Sequence, residues 1–398
     1  MTRKKPPPAE SQGTPTGAAA PSEPSAQTAT PPSPAEAVSP PALPAGLQSL
    51  AKLMNAWKAR HRRPPDILYH YTNAQGLYGM LSTGRVWGTN VGFLNDPSEM
   101  HYAAQLIRNV MTEEVKQLKA EQPPAEEKKS GWRGMVDVYA DSMSTSLPAW
   151  TESLLKTFED QGDAYMTCFC ARDNLLSQWR GYGATGSGYA LGFDARQIGT
   201  PAPAAGGVLL RRVIYKPKAQ IEIVRNWVRE FFRLGQSLVQ AMREQIPEQS
   251  VPATNFMYHL FTAPGIALSV IGRAATNKQL LAQGQQVFTK FLAECLICFK
   301  DPAYQEEEEW RVIQNGQNAG IKFRPSGPRV VPYIELALTP LTDDKPDARL
   351  PLKSITYGPT LEPAVTEKSL AMLLEHHKYN QPAIEIKRSG IPFRPEAR

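Results

Sequence analysis

The chain has 398 residues, 41% hydrophobic and 21% charged, an ordinary balance for one large globular domain or two modest ones. Its net charge of +6 falls almost wholly in residues 1–65, where eight Lys/Arg face three acids. The remainder therefore lacks the broad basic face that a polyanion-binding domain presents. No apolar run is long enough for a membrane helix, no apolar core follows the basic N-terminal residues, and four cysteines are too few for a disulfide scaffold. These features predict a reduced, cytoplasmic protein that does not enter a membrane.

Residues 1–45 are rich in Pro, Ala, Ser and Thr, a composition that cannot offset its ordering entropy and is expected to be a disordered tail. It can serve as a linker, a partner-binding bait or an export signal for a specialised secretion system. Residues 46–65 place Leu47, Leu50, Leu53, Met54 and Trp57 at helical spacing and end in a basic cluster, Lys58 to Arg63. The cluster reads as a solvated helix end or a phosphate contact.

The folded domain is expected over 66–394. Ile67–Thr72 has strand composition, Gly76–Leu81 is a helix stopped by Gly84, and Arg85–Asn90 is a second strand. Asp96-Pro97-Ser98-Glu99 is a capping box, with Asp at the cap and Glu three positions on, opening a helix to about Lys119. A polar linker at 121–130 and helical material at 131–160 follow. Strands are expected at 165–170, 189–193 and 208–216, then a helical insertion over about 217–293. Further strands are expected at 294–299, 309–314, 330–338 and 352–357, with a helix near 363–376 and a last strand near 383–387. The fold class is α+β: a split mixed or antiparallel sheet flanked by helices, with an inserted helical subdomain.

Four segments carry candidate chemistry. His70-Tyr71-Thr72 ends the opening strand, and Asn95 precedes the capping box without a capping role of its own. Ser177 to Gly183 sets Trp179, Arg180 and Tyr182 beside glycines, a composition suited to stacking and anion binding. Glu306 to Arg311 runs four acids into Trp310 and Arg311. As a strand it puts Glu307, Glu309 and Arg311 on one face; as a turn capped by Asp301-Pro302, its acids complement a helix dipole. Both readings stand at this level. Cys168-X-Cys170 and Cys295-X-X-Cys298 have the count for zinc, but their apolar surroundings favour buried hydrophobes, and no metal is expected.

Taken in order, Leu68–Thr72, Gly79–Trp87, Phe93–Glu99, Cys168-Phe169, Leu176–Arg180 with Tyr182, Tyr189–Phe193, Glu309–Arg311 and Arg388–Arg394 resemble a bacterial family called domain of unknown function 2971. The resemblance spans residues 66–394. Typical members have Arg at the position of Glu308. A looser similarity, to ADP-ribosyltransferases of the His–Tyr–Glu type, implies NAD as substrate and a macromolecular acceptor, protein or nucleic acid, modified by a toxin, effector or phage-defence component. It implies that His70 holds the adenosine ribose, Tyr182 or Tyr71 stacks on nicotinamide, Glu309 contacts the nicotinamide ribose and Glu307 stands two residues before it. Arg180 or Arg311 would meet the pyrophosphate, or Arg311 would neutralise Glu307. Replacing Glu309 by Gln is then expected to abolish nicotinamide release with the fold intact. A non-catalytic nucleotide-sensing or interaction module, and a nuclease holding Mg²⁺ on Asp96, Glu99, Glu307 and Glu309, are the alternatives.

Overall fold

The computed structural model describes residues 45–94, 98–121, 164–181, 187–199, 208–245, 275–315, 320–326, 328–339, 349–379 and 383–393, with isolated positions 149, 153 and 156. Residues 1–44, Asn95, Asp96, Tyr182 and most of the stretch between Glu121 and Ala164 lie outside the described residues.

The first described helix, α1 (Ala45–Arg60), leads into β1 (Ile67–Thr72), α2 (Ala74–Thr83), β2 (Val86–Asn90) and α3 (Ser98–Ala120). Then come β3 (Ala164–Cys170), a short α4 (Leu176–Gly181), β4 (Tyr189–Asp194) and β5 (Leu209–Arg212). Two long helices, α5 (Pro217–Gln245) and α6 (Ala275–Cys298), precede a 3-10 turn (Pro302–Glu307) and β6 (Glu309–Asn315). The chain continues through β7 (Lys322–Ser326), β8 (Arg329–Leu336), β9 (Leu352–Tyr357), α7 (Pro363–His376) and β10 (Glu385–Arg388).

The ten strands form one mixed sheet, and β3 is its branch point. One edge of β3 pairs with β6 over its full length, Ala164 opposite Asn315 through Cys170 opposite Glu309. The other edge is shared. At its C-terminal end Cys170 meets Tyr69 of β1; at its N-terminal end Tyr165 and Met166 meet Asn90 and Thr89 of β2. Beyond β1 the order runs β4, β9, β10, with β9 and β10 parallel; beyond β2 it runs β8, β7. The two wings therefore part from β3 between its ends, and residues 167–169 face the fork.

Side-chain alternation sorts the core into two layers. Tyr165, Phe169, Trp310 and Val312 join Leu68, Leu191, Phe193, Ile334, Leu336 and Ile355 in one cluster, closed by Leu77, Met80 and Leu81 of α2 and Leu370 and Leu374 of α7. Ala164, Met166 and Ile313 face the other way, onto α1, α3, α5 and α6. There the Trp227 and Phe291 rings stack 4.0 Å apart and Phe231 on Phe288 at 4.6 Å. Glu114 of α3, buried, takes Arg225 and Arg229 of α5, so the helical layer is tied by charge as well as by area.

Of the segment 294–299, expected as a strand, residues 294–298 are the last turn of α6 and Phe299 alone forms an isolated bridge, with Ile214. A short apolar run reads equally as a strand or a buried helix turn, and here the helical face packs into the core. Strand β7 was not expected at all; its sequence Lys-Phe-Arg-Pro-Ser contains a proline that only an edge strand tolerates. The basic cluster after α1 divides: Arg62 and Arg63 are exposed, whereas His61 is buried, and its Nδ1 accepts from Arg212 N of β5 at 2.9 Å.

Trp310 is 3% exposed between Phe169 and the wings. Trp310→Ala is expected to cost about 3–5 kcal/mol in denaturant unfolding; a loss below about 1 kcal/mol would show that β6 does not close this layer.

Candidate functional site

An open cleft of about 770 Å³ lies at the fork, a volume within the range of cofactor pockets. Residues from β1, α2, β2, α3, β3, α4, the 3-10 turn, β6 and β7 line it, His70, Glu307 and Glu309 among them. By strand alternation His70 and Glu309 point to opposite sides of β1–β3–β6. They line one cavity because the sheet is open between β1 and β2 at that height.

The helix-side wall is built around Lys300, the second residue after α6. Its ammonium lies 2.7 Å from Glu99 Oε1, 2.6 Å from Glu307 Oε2 and 3.1 Å from Glu309 Oε2. Arg311 supplies a second cation. Its Nε donates to Glu309 Oε1 at 2.8 Å, its Nη2 to Glu309 Oε2 at 2.9 Å and Glu99 Oε2 at 2.6 Å, and its Nη1 to the Ile297 carbonyl. Three carboxylates against two cations leave the cluster one negative charge.

Local sequence explains how Glu307 reaches this cluster. Asp301 Oδ1 accepts from Ala303 N at 2.8 Å and Pro302 starts the turn, so the capping reading holds up to Glu307. Glu308 then adopts a left-handed conformation, φ 44°, and the strand begins at Glu309. The two sequence readings apply to successive pieces of chain. Glu308 points outward to Arg172, 3.5 Å away, with both side chains half exposed.

Burial opposes ionisation of Glu309, but Arg311 and Lys300 outweigh it and hold the carboxyl at about 2. Burial lowers the affinity of Lys300 for its proton, yet Glu309 and Glu99 reverse this and keep the ammonium charged. Glu307 differs: burial raises its pKa against the pull of Lys300. It is also the most accessible of the three, its side chain 21% exposed against 12% for Glu99 and 5% for Glu309. Tyr304, exposed at the rim, receives Lys300 over its ring at 4.8 Å.

His70 spans the fork. Its Nδ1 lies 2.9 Å from the Cys168 carbonyl; a carbonyl only accepts, so Nδ1 carries the proton. Burial, opposed by that carbonyl and aided by Arg324, lowers its pKa. The ring is thus neutral at pH 7, with Nε2 as an acceptor. Thr167 Oγ1 bridges the other side, donating to Trp87 O at 2.7 Å.

Tyr71 and Thr72 line the cleft. The Tyr71 hydroxyl donates to Arg172 O at 3.0 Å and accepts from Leu175 N at 3.1 Å, and its ring meets Trp179 edge-on at 5.1 Å. It is a tie between β1 and α4. Arg180 is exposed, and the cleft takes Gln178 and Gly181 on either side of it instead. Arg311 is committed to Glu309, Glu99 and the Ile297 carbonyl, so it neutralises Glu309 and Glu99 rather than Glu307. The four cysteines are free, all but Cys168 buried, and Cys295 and Cys298 lie within the helical core. Among the described residues no group of three His, Cys, Asp or Glu is arranged to hold a metal. Glu99, Glu307 and Glu309 do converge, but on Lys300, whose ammonium stands where a cation bound by all three would sit. No described helix is long and apolar enough to cross a membrane. Sequence reasoning missed Lys300, Tyr304 and Arg324; the one local signal for Lys300 is a charged residue ending the apolar run Leu296 to Phe299.

Glu309 therefore belongs to the frame as much as to the cleft. Because its folded pKa lies below the ordinary 4.5, its contribution is complete above pH 4.5 and is lost as pH falls toward about 2. Glu309→Gln is expected to cost about 3–5 kcal/mol, since it leaves buried cations under-compensated, and to flatten the acid limb of a Tm-versus-pH curve in that window. An unchanged acid limb would show that the pair carries no such linkage.

No curated protein and no solved structure matches the chain. A family model described as a protein of unknown function, DUF2971, matches residues 178–312. That segment runs from α4 to β6 and holds Lys300, Glu307, Glu309 and Arg311, a narrower span than the sequence resemblance over 66–394.

Proposed function

We propose that the cleft binds NAD and that the chain breaks its nicotinamide–ribose bond, passing ADP-ribose to a macromolecular acceptor. The observation that carries this reading is that His70 and a net-negative carboxylate cluster, far apart in sequence, line one cavity at the sheet fork. In the reaction the C1′–N bond breaks and its electron pair goes to the pyridinium nitrogen, so nicotinamide leaves neutral. The ribose becomes an oxocarbenium ion, and the acceptor's nucleophile bonds to C1′ as it loses a proton. A fixed negative charge beside C1′ favours this transition state over the ground state.

Glu307 is the carboxylate placed to act there. It is the most accessible of the three, and its raised pKa suits it to receive the acceptor's proton. Lys300, itself fixed by Glu309 and Glu99, holds it in position. Neutral His70 offers Nε2 to a ribose hydroxyl, and the exposed Tyr304 ring offers a stacking face at the rim. One observation favours a second reading. Both Glu309 oxygens are spent on Arg311 and Lys300, which suits a cleft that binds nucleotide without turning it over.

Nicotinamide release from NAD, with and without a cell lysate as acceptor source, separates the two. Glu307→Gln is expected to lower the wild-type turnover roughly 100-fold or more with KM little changed. NAD binding by the wild type without nicotinamide release would replace the first reading by the second. Turnover unaffected in Glu307→Gln would remove this carboxylate from the mechanism.

A further inference from the structure

Arg324 is the cation of the cleft that its protein neighbours leave uncompensated. The other buried arginine of the cleft and a half-buried one beside it are matched by acids: Arg311 by Glu309 and Glu99, Arg211 by Glu294 at 2.8 Å. Arg324 extends from β7 into the cleft, and among the described residues it has no carboxylate partner. The nearest acid of the same hairpin, Glu335, is taken by Lys322 at 2.7 Å. Arg324 Nη2 donates to Thr89 Oγ1 at 2.9 Å, and its guanidinium lies 5.6 Å from the Trp87 ring and 6.0 Å from Tyr333.

Two buried donors in this corner have no acceptor: Arg324 Nε and Trp87 Nε1. Both residues line the cleft. Trp87 is held in place because it lies against Gly79 of α2, where an added Cβ would stand 2.1 Å from the ring. A buried guanidinium Nε–H and an indole N–H left without acceptors are costly unless a ligand supplies them. The group that meets both is one with several acceptor oxygens and negative charge.

We propose that Arg324, with Trp87 Nε1 beside it and Thr89 orienting it, forms the phosphate-binding subsite of the cleft and takes the pyrophosphate of a dinucleotide. The assignment of the pyrophosphate to NAD rests on the reading above; the anion subsite does not. The cleft thereby carries charges of both signs, the negative Glu99–Glu307–Glu309 cluster and the Arg324 corner. That pattern complements a ligand with a cationic ring and a diphosphate. Burial lowers the Arg324 pKa, a penalty that a bound anion would reverse.

The test is isothermal titration of the full chain with inorganic pyrophosphate, ADP and adenosine, beside Arg324→Met and Trp87→Phe. Arg324→Met is expected to weaken pyrophosphate and ADP roughly tenfold or more, with adenosine unchanged. Trp87→Phe keeps the ring, loses the donor, and is expected to weaken both anions severalfold. Wild-type protein that binds neither anion at roughly millimolar concentration, or Arg324→Met that binds them as tightly as wild type, overturns the proposal. If Arg324→Met fails to fold, Arg324→Lys and Trp87→Phe decide: undiminished anion binding in both overturns it. Nicotinamide release measured in parallel keeps the two readings apart. Arg324-dependent anion binding without release sinks the enzyme and keeps the subsite, whereas release with an unaltered KM in Arg324→Met does the reverse.

Discussion

A buried ammonium among three carboxylates governs this structure. Lys300 stands at the junction of α3, α6, the 3-10 turn and β6, and every one of those elements sends it an acid or carries it there. Taking a lysine out of water is strongly unfavourable unless the attraction it gains is well oriented. Here the orientation comes from secondary structure: Glu99 from the first turn of α3, Glu309 from the first residue of β6, Glu307 from the residue that closes the turn. Arg311, two residues along the strand and so on the same face, binds two of these acids, Glu99 and Glu309. The helical layer is thus registered on the sheet by charge at the point where β6 begins, whereas apolar area alone would let it slide.

That frame has a chemical consequence because it is placed beside a gap in the sheet. A strand that pairs with one neighbour at its beginning and another at its end exposes its middle, and residues 167–169 of β3 are that middle. Backbone groups there need partners. His70 supplies one to the Cys168 carbonyl, and Thr167 spans to Trp87 O. Those bridges fix the neutral imidazole of β1 and the backbone of β2 at Trp87 on opposite sides of the gap. The cleft is therefore a product of topology, and its lining side chains double as the fasteners that hold the two wings to β3.

Local pattern carried the elements with strong signatures. The opening strand Ile67–Thr72 has the bounds expected of it from composition, and the helix Pro363–His376 lies where one was expected. The apolar turn at 294–299 was misread because strand and buried helix share that composition, and β7 was invisible because its exposed, proline-containing sequence has no alternation. Within the site, period two placed Glu309 and Arg311 together, a relation internal to one strand. Lys300 and Arg324 were illegible for the opposite reason. Each is a single charged residue whose meaning lies in neighbours up to 235 positions away, Thr89 in the case of Arg324, and no local periodicity encodes such a meeting.

The step at Glu308 joins these two levels. A non-glycine residue in the left-handed region costs about 1 kcal/mol, and here it turns the chain between the 3-10 turn and the strand. A regular strand through 307–309 would also have set both acids on one face, but strung along it at strand spacing. The left-handed step instead brings Glu307 onto the Lys300 ammonium that Glu309 also holds, while leaving the Glu307 side chain more open to the cleft. The local strain accounts for the division of labour between two carboxylates only two residues apart. One is drawn into the frame and kept ionised, and the other is left at the surface of the cleft with its proton affinity raised.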